Sequence, residues 1–414
     1  MEKPIIVIGA GICGLCTAVW LRRAGHDVLL LDQSEPGMGA SYGNAGLLAQ
    51  WAVVPLNEPN IWKNMPRYLI DPMSPLFLKW GYVPKLMPWL VEFLSNANEK
   101  SAKRTSNALA PLVSDSVEQH KLLTKGTSAR AWITESKFSY AYTNKSAFEK
   151  DAYGWAIKAA LGIVPEILTD GEVQEEEPIC GSMIKCLAVL KGQGHINNPL
   201  GYVRELAKVF ESLGGLFLLA KVLDFERDGE TIEAVLTDQG RFACVKTVVT
   251  AGIWSKNLMK KLGLKVPLET ERGYHVMYKE PSQVPNNPMM MTIGKFAVTP
   301  MQEGLRCAGT VELGGVELKP SKAPIRLIRR QVSQAFPDLS YESSEEWMGF
   351  RPSTPDSLPL IGELGNSGIF TAFGHQHVGI TAGAKTGRLI ADMIDRKMPN
   401  IDMSPYHPDR YASR

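Results

Sequence analysis

A strand, three glycines and an acid at the start of the chain constrain its fold more than any other feature. Pro4–Ile8 (PIIVI) is apolar and rich in β-branched residues, the signature of a strand buried on both faces. Gly9-Ala-Gly11-Ile-Cys-Gly14 follows at once and matches G-x-G-x-x-G. Gly9 permits a tight turn, Gly11 lets the backbone approach a pyrophosphate, and Gly14 lets helix and strand pack closely. Helical character runs from Leu15 to about Ala24, Gly25 is a natural stop, and Val28–Leu31 is a second buried strand ending at Asp32. Fitted into about 30 residues, this order predicts the first half of a dinucleotide-binding fold. A phosphate then sits at the helix N-terminus, and Asp32, about 20 positions on, accepts hydrogen bonds from a ribose. A carboxylate there repels a 2′-phosphate, which disfavours NADP.

Two further small-residue segments separate FAD from NAD. Gly37-Met-Gly39-Ala-Ser41-Tyr-Gly43-Asn44-Ala45-Gly46, followed by Leu47, is a loop that donates N–H groups where side chains would collide with a bulky ring system. A simple NAD dehydrogenase has no need of it, whereas a flavin buried along its length does. Near the C-terminus, Phe370–Phe373 reads as a strand, and Gly374-His375-Gln-His377-Val378-Gly379-Ile-Thr381 as a turn into a helix pointing its N-terminus inward. That dipole favours negative charge. His375-x-His377 is not a metal pair, because no third ligand lies nearby in sequence. Nor is Gly379–Gly387 a phosphate loop, since Lys385 follows Ala384 where that motif demands glycine.

At 414 residues the chain exceeds the usual single-domain size, and its 44% hydrophobic content builds a large core. A net charge of +2 gives no footing for nucleic acid. Six cysteines are too sparse for a disulfide framework, so a reducing, cytoplasmic setting is expected; Cys13 and Cys16 share one helix face as small packing residues. The apolar run at the start is too short for a secretory signal, and no stretch reaches the roughly 18 apolar residues of a spanning helix. Ser101–Leu123 reads as one long helix, Tyr202–Leu213 as another, then strands at Leu216–Val222, Phe225–Leu236 and Phe242–Thr250, and more strands from Glu271 to about Glu312. The aromatic stretch Trp80–Leu94, with Lys79 and Lys85, carries two readings: a wall of the second domain, or a peripheral contact with the inner face of a membrane. The fold class expected is α/β with α+β. Residues 1–55, 185–270 and 345–414 form a discontinuous Rossmann-like FAD domain, and 56–184 with 271–344 a substrate domain built on an antiparallel sheet.

Five segments together resemble the D-amino-acid oxidase-like superfamily of FAD-dependent oxidoreductases, and within it the D-amino-acid dehydrogenase group. They are the GAG-x-x-G start, SYGNAG near residue 45, CAGTVEL at 307–313, GFRPSTPDSLPLIG at 349–362 and the GHQHVG turn. Dehydrogenases of D-proline and D-hydroxyproline are included in the likeness. The resemblance implies non-covalent FAD held by Gly9, Gly11, Gly14, Asp32, Gln33, Ser41, Gly43, Asn44, Ala45, Gly46 and Leu47. It places Val222 at the adenine, Gly252 near the pyrophosphate, and Gly374, His375, Val378, Gly379 and Thr381 along the isoalloxazine. Asp32 stands where the superfamily more often has Glu, and Gln33 where a basic residue is frequent; the acid itself is retained.

The implied activity is oxidation of the carbon–nitrogen bond of a D-amino or cyclic D-imino acid, a hydride passing to flavin N5 and electrons on to a quinone or other acceptor. A guanidinium suits the substrate carboxylate because it makes two parallel hydrogen bonds. Arg351, in Gly-Phe-Arg-Pro, is the first candidate, since the resemblance places it over the flavin, and Arg272, in Glu-Arg-Gly-Tyr, is the second. Tyr274 and His275 are candidates to orient substrate or take a proton, and His377 either accepts a proton or supports its turn. Two alternatives stand beside this reading: an oxygen-using oxidase of glycine or N-methylated amino acids, and a flavin-bearing assembly subunit without turnover. The presence of both arginines argues against the second.

Overall fold

The structure, a computed structural model, describes residues 3–59, 61 and 74–412. Strand β1 (Ile5–Ile8), buried on both faces, sits inside a six-stranded sheet. The strand order is Leu360–Glu363, Ile369–Phe373, Lys246–Val249, β1, β2 (Val28–Asp32), Leu216–Leu219. All neighbours are parallel except the first pair. Helix α1 (Ile12–Arg23) returns the chain from β1 to β2 and packs against helix α2 (Gly379–Ile394). The two backbones meet at Gly387, where a Cβ would fall 2.6 Å from the Cys16 carbonyl carbon. Trp20 Nε1 adds a hydrogen bond to the Ala384 carbonyl at 3.1 Å. Cys16 is fully buried at this crossing, as a packing residue should be.

The expected strand Leu216–Val222 is in fact two. It breaks after Leu219, where Ala220 donates to the Asp32 carbonyl and the chain leaves the parallel sheet. The next strand, Val222–Asp228, opens an antiparallel three-stranded meander with Thr231–Thr237 and Gly240–Ala243. The expected helix Ser101–Leu123 is also two, Glu99–Val113 and Ser116–Leu123. The break presents Asp115 to Lys385, a lysine buried in α2, at 2.9 Å. A buried ammonium needs such a partner, and a continuous helix pattern gives no warning of it.

The second sheet has ten strands and is mostly antiparallel. Second from one edge is β3 (Glu269–Lys279), paired with β4 (Gly304–Leu313) on its inner side and with the edge strand β5 (Ser343–Ser353) on the other. The sheet continues through Phe296–Met301, Met289–Met291, Ile133–Tyr142, Cys186–Ile196 and Leu47–Leu48. Three segments assigned from sequence to the nucleotide domain therefore lie in this sheet: Leu47–Leu48, Cys186–Ile196 and the start of 345–414. Cys186–Ile196 opens with CLAVL, buried at every position, and a strand covered on both faces carries the same apolar run in either kind of sheet. Within Trp80–Leu94, Trp80–Tyr82 is a short 3₁₀ turn and Val83–Ser95 a helix whose Leu86, Trp89 and Phe93 turn inward. Among the described residues no helix is long and apolar enough to cross a membrane.

Candidate active site

A cavity of about 960 Å³ runs from the β1–α1 turn to the face of the second sheet. At its first end the glycines divide by task. A Cβ on Gly9, which has φ +110°, would lie 2.8 Å from the Thr250 carbonyl carbon, and one on Gly14 would lie 1.7 Å from the Gly9 oxygen. Both are required for packing, and Gly14 does not face the cavity. Gly11 does, and the nearest atom to a Cβ there is Ser41 Oγ at 3.4 Å. Gly11 is also the N-cap of α1 and has no side chain to satisfy the helix's free donors; Ile12 N–H donates to Ser41 Oγ at 3.0 Å. Asp32 Oδ2 accepts the Ala10 N–H at 2.6 Å, and Oδ1 accepts from Ser34 N–H and Oγ–H. The carboxylate thus ties the glycine turn to β2 while lining the cavity, beside Gln33, Val222 and Gly252.

The loop expected along a flavin is held from three sides. A Cβ on Gly43 would lie 1.9 Å from the Trp347 ring, so only glycine fits there. Trp347 stacks on His275 with centroids 5.3 Å apart, and His275 faces Tyr42 at 6.5 Å. His275 Nδ1 lies 3.1 Å from the Gly43 carbonyl and is therefore the protonated nitrogen. Burial, helped by the nearby Arg306 charge, pushes its pKa down to about 3. Arg306 donates to the carbonyls of Tyr42 and Asn44. Thr381, in the first turn of α2, donates to the Leu47 carbonyl at 2.9 Å and accepts the Ala49 N–H at 3.2 Å. Gly43, Asn44, Ala45 and Leu47 line the cavity; Gly46, with φ +75°, makes the turn behind them.

At the other end Arg351 of β5 reaches over Gly273 of β3, where a Cβ would meet its Cζ at 2.3 Å. An extra residue in β4 forms a bulge opposite Gly273, with Thr310 at φ +57°. The Thr310 carbonyl accepts Arg351 Nη1–H at 2.9 Å. Among the described residues no carboxylate stands within ion-pair distance of Arg351, whose other donors are left for the cavity. Glu271, paired with Arg351 in register, lines the same space. Its Oε1 accepts from Ser353 Oγ at 2.5 Å, its Oε2 has no hydrogen-bond partner among the described residues, and burial pushes its pKa up.

Arg272 and Tyr274 are not in this cavity, contrary to the sequence-based expectation. Successive residues of a strand face opposite sides, and these two point away from Gly273's side. Arg272 is wholly buried, and all five of its donors are matched: Glu312 Oε2 at 3.1 Å and the carbonyls of Gly314, Gly315, Leu318 and Lys319. Tyr274 donates to the same Glu312 carboxylate and accepts from Ser321. His275 props the loop from behind and does not line the cavity. His377 does line it; its Nδ1 finds no partner among the described residues, and burial together with the Arg351 charge pushes its pKa down to about 4. His375 is tied into the framework, Nε2 3.0 Å from Thr386 Oγ1 and Nδ1 3.6 Å from the Sγ of Cys13, which borders the cavity. Gly374, Val378, Gly379 and Thr381 also line the wall, and α2 starts there without a side-chain cap.

Sequence reasoning missed Glu271, Gly273 and Thr310. Their only signal is strand parity relative to Arg351, which needs the pairing of β3 with β5. It also missed Lys158, on the helix Ala152–Ala160, which lines the cavity among aromatic rings.

Known proteins share this outline. The profile of the DAO family, described as FAD dependent oxidoreductase, matches residues 4–393. A D-amino-acid oxidase of Bradyrhizobium diazoefficiens is 37% identical over 417 residues, 99% of each chain. A D-amino acid dehydrogenase of Helicobacter pylori is 28% identical over 95% of each. Among solved structures, glycine oxidase from Geobacillus kaustophilus superposes with a TM-score of 0.74 at 21% identity, covering 99% of both chains. L-proline dehydrogenase from P. horikoshii gives 0.70 at 17% identity, covering 100% of this chain and 98% of that one. The structural likenesses establish the fold, an FAD-type nucleotide domain with a second sheet.

Proposed function

Because the chain belongs to the DAO family of FAD-dependent oxidoreductases, we propose that it oxidises the carbon–nitrogen bond of a D-amino acid or a cyclic D-imino acid of the D-proline or D-hydroxyproline kind. The observation that carries this reading is Arg351, a cavity-facing guanidinium with one of its donors bound to a carbonyl and no carboxylate partner among the described residues.

The residues present fit FAD. The front of Gly11 is open, the first turn of α1 has no side-chain cap of its own, Asp32 retains acceptor capacity toward a ribose, and Gly43 to Leu47 offer backbone beside the cavity rather than bulk. Gly9, Gly11, Asp32, Gln33, Val222 and Gly252 would hold the dinucleotide end; Ser41 to Leu47, Gly374 to Gly379 and Thr381 would hold the ring end. FAD when bound supplies the acceptor for the hydride that leaves the substrate Cα.

The protein's own part is to bind, orient and exclude water. Arg351, pinned at Nη1 by Thr310, presents its remaining N–H groups to the substrate carboxylate, and that grip fixes the direction of the Cα–H bond. His377, held neutral, offers a lone pair to the substrate nitrogen. The uncapped first turn of α2 supplies positive potential where negative charge develops. Leu86, Trp89 and Phe93 close the far wall against water, and Trp89 Nε1 anchors it to the Ser353 carbonyl.

A quinone or a comparable acceptor would take the electrons, in a cytoplasmic protein that touches the inner membrane face through the exposed Trp80, Met87 and Val91. The relative named D-amino-acid oxidase favours a second reading, in which oxygen is the acceptor. Anaerobic mixing of the flavin-loaded protein with D- and L-amino acids tests the first statement. Bleaching of the flavin band by D-amino or D-imino acids is expected, and a protein that no amino acid bleaches sinks it. Oxygen uptake during turnover decides between the acceptors.

A further inference from the structure

The cavity that Arg351 faces is also lined by Lys158 and Lys295. Lys158 is 5% exposed and lines the cavity, yet no carboxylate among the described residues lies within ion-pair distance of it. Its ammonium instead sits 4.2 Å from the Trp155 ring centroid, 4.3 Å from that of Tyr140 and 5.9 Å from that of Trp51. Ring faces attract a cation but leave its three N–H donors unused. Burial pushes the group's pKa down to about 8, with Lys295 acting in the same direction and Asp151 and Glu58 in the other.

Lys295 lines the same cavity and is close enough to Lys158 to affect its titration. It is one step from the arginine clamp: the Lys295 carbonyl accepts the Thr310 N–H at 3.4 Å, and the Thr310 carbonyl accepts Arg351. Asp151 and Glu58 line the same cavity and offset part of the charge on Lys158, but neither lies within ion-pair distance of it. Asp151 accepts from Tyr142 OH at 2.7 Å, and burial pushes the Glu58 carboxyl up. A desolvated ammonium with no hydrogen-bond acceptor among the described residues, facing a cavity in which Arg351 is read as gripping one carboxylate, is complementary to a ligand with a second one.

We propose that Lys158 and Lys295 form a subsite for a second anionic group, so that the preferred substrates are dicarboxylic amino acids. This rests on the reading of Arg351 as the α-carboxylate site. Flavin-loaded protein is mixed anaerobically with D-glutamate, D-aspartate, D-alanine and D-proline, and the second-order rate of bleaching is compared. The acidic pair is expected to exceed the neutral pair by about tenfold or more, and Lys158→Met to lower that ratio by about tenfold. Bleaching by the neutral acids with no acidic preference overturns the subsite and leaves the broader function standing. A ratio unmoved by Lys158→Met overturns it as well. If that variant does not retain flavin, Lys295→Met is measured in its place: a lowered ratio supports the subsite and an unmoved one overturns it. Bleaching by none of the four means that the reading of Arg351 has failed, and the subsite falls with it.

Discussion

The two faces of strand β3 are built to opposite specifications. On one, Arg272 is sealed from solvent with five donors matched to five acceptors, and Tyr274 shares its carboxylate. On the other, Gly273 leaves room for Arg351, which among the described residues has a single carbonyl partner and an open cavity before it. The contrast shows how to read a buried arginine. A saturated guanidinium is part of the framework, because every donor it has is already satisfied. One left partly unmatched beside a cavity is held ready for a ligand, and the glycine that seats it belongs to the site as much as the arginine does.

The largest test of this contrast removes the saturated side. Arg272→Met leaves the buried Glu312 without its guanidinium, with Lys79 3.8 Å away as its remaining ion-pair partner among the described residues, and is expected to cost about 3–5 kcal/mol in urea unfolding. On the open side, Arg351→Met is expected to lower kcat/KM for a D-amino acid by about 2–3 kcal/mol, roughly a hundredfold, with the unfolding midpoint nearly unchanged. If the two variants exchanged these effects, the assignment of the faces would be reversed. Gly273→Ala is subtler. Its methyl displaces the guanidinium without removing it, so kcat/KM should fall by about 1–2 kcal/mol while flavin affinity holds.

At neutral pH the smallest effect comes from His275, which ties the same strand to the cofactor loop. It is neutral in the folded chain down to about pH 3, whereas the unfolded chain takes up that proton near 6.5. Between these values the unfolded state binds the extra proton. The contribution is therefore complete above 6.5 and declines as pH falls toward 3. His275→Gln should flatten the acid limb of the stability curve by at most about 1.4 kcal/mol per pH unit, and an unchanged slope would show that the imidazole titrates normally.

The dinucleotide end was legible because its determinants are local. Gly9, Gly14 and Asp32 act within one strand–helix–strand unit, and their roles follow from backbone geometry alone. Elsewhere the information is distributed. Arg272 and Arg351 look alike in sequence, and only the pairing of β3 with β5 decides which of them faces the cavity. Cys186–Ile196 shows the same ambiguity for a whole strand. Glu271 and Lys158 carry no local sign, since an acid in a strand and a lysine in a short helix are ordinary. The break before Ser116 was hidden because both halves keep buried apolar residues, and Lys385, the partner that Asp115 meets at the break, lies far along the chain.

The clip made by Thr381 has a consequence for the order in which this protein is made. Its hydroxyl fastens Leu47 and Ala49 to a helix synthesised more than 330 residues later. Two more late contributions meet early ones: Ile369–Phe373 completes the parallel sheet, and Gly387 seats α2 against α1. A nascent chain that has not yet reached α2 thus carries its glycine turn but an unfastened loop, and closing so long a loop comes late in folding. Cofactor capture is then expected only after α2 is made. A chain truncated before residue 369 lacks that strand, the Thr381 clip and α2, and should emerge colourless after purification.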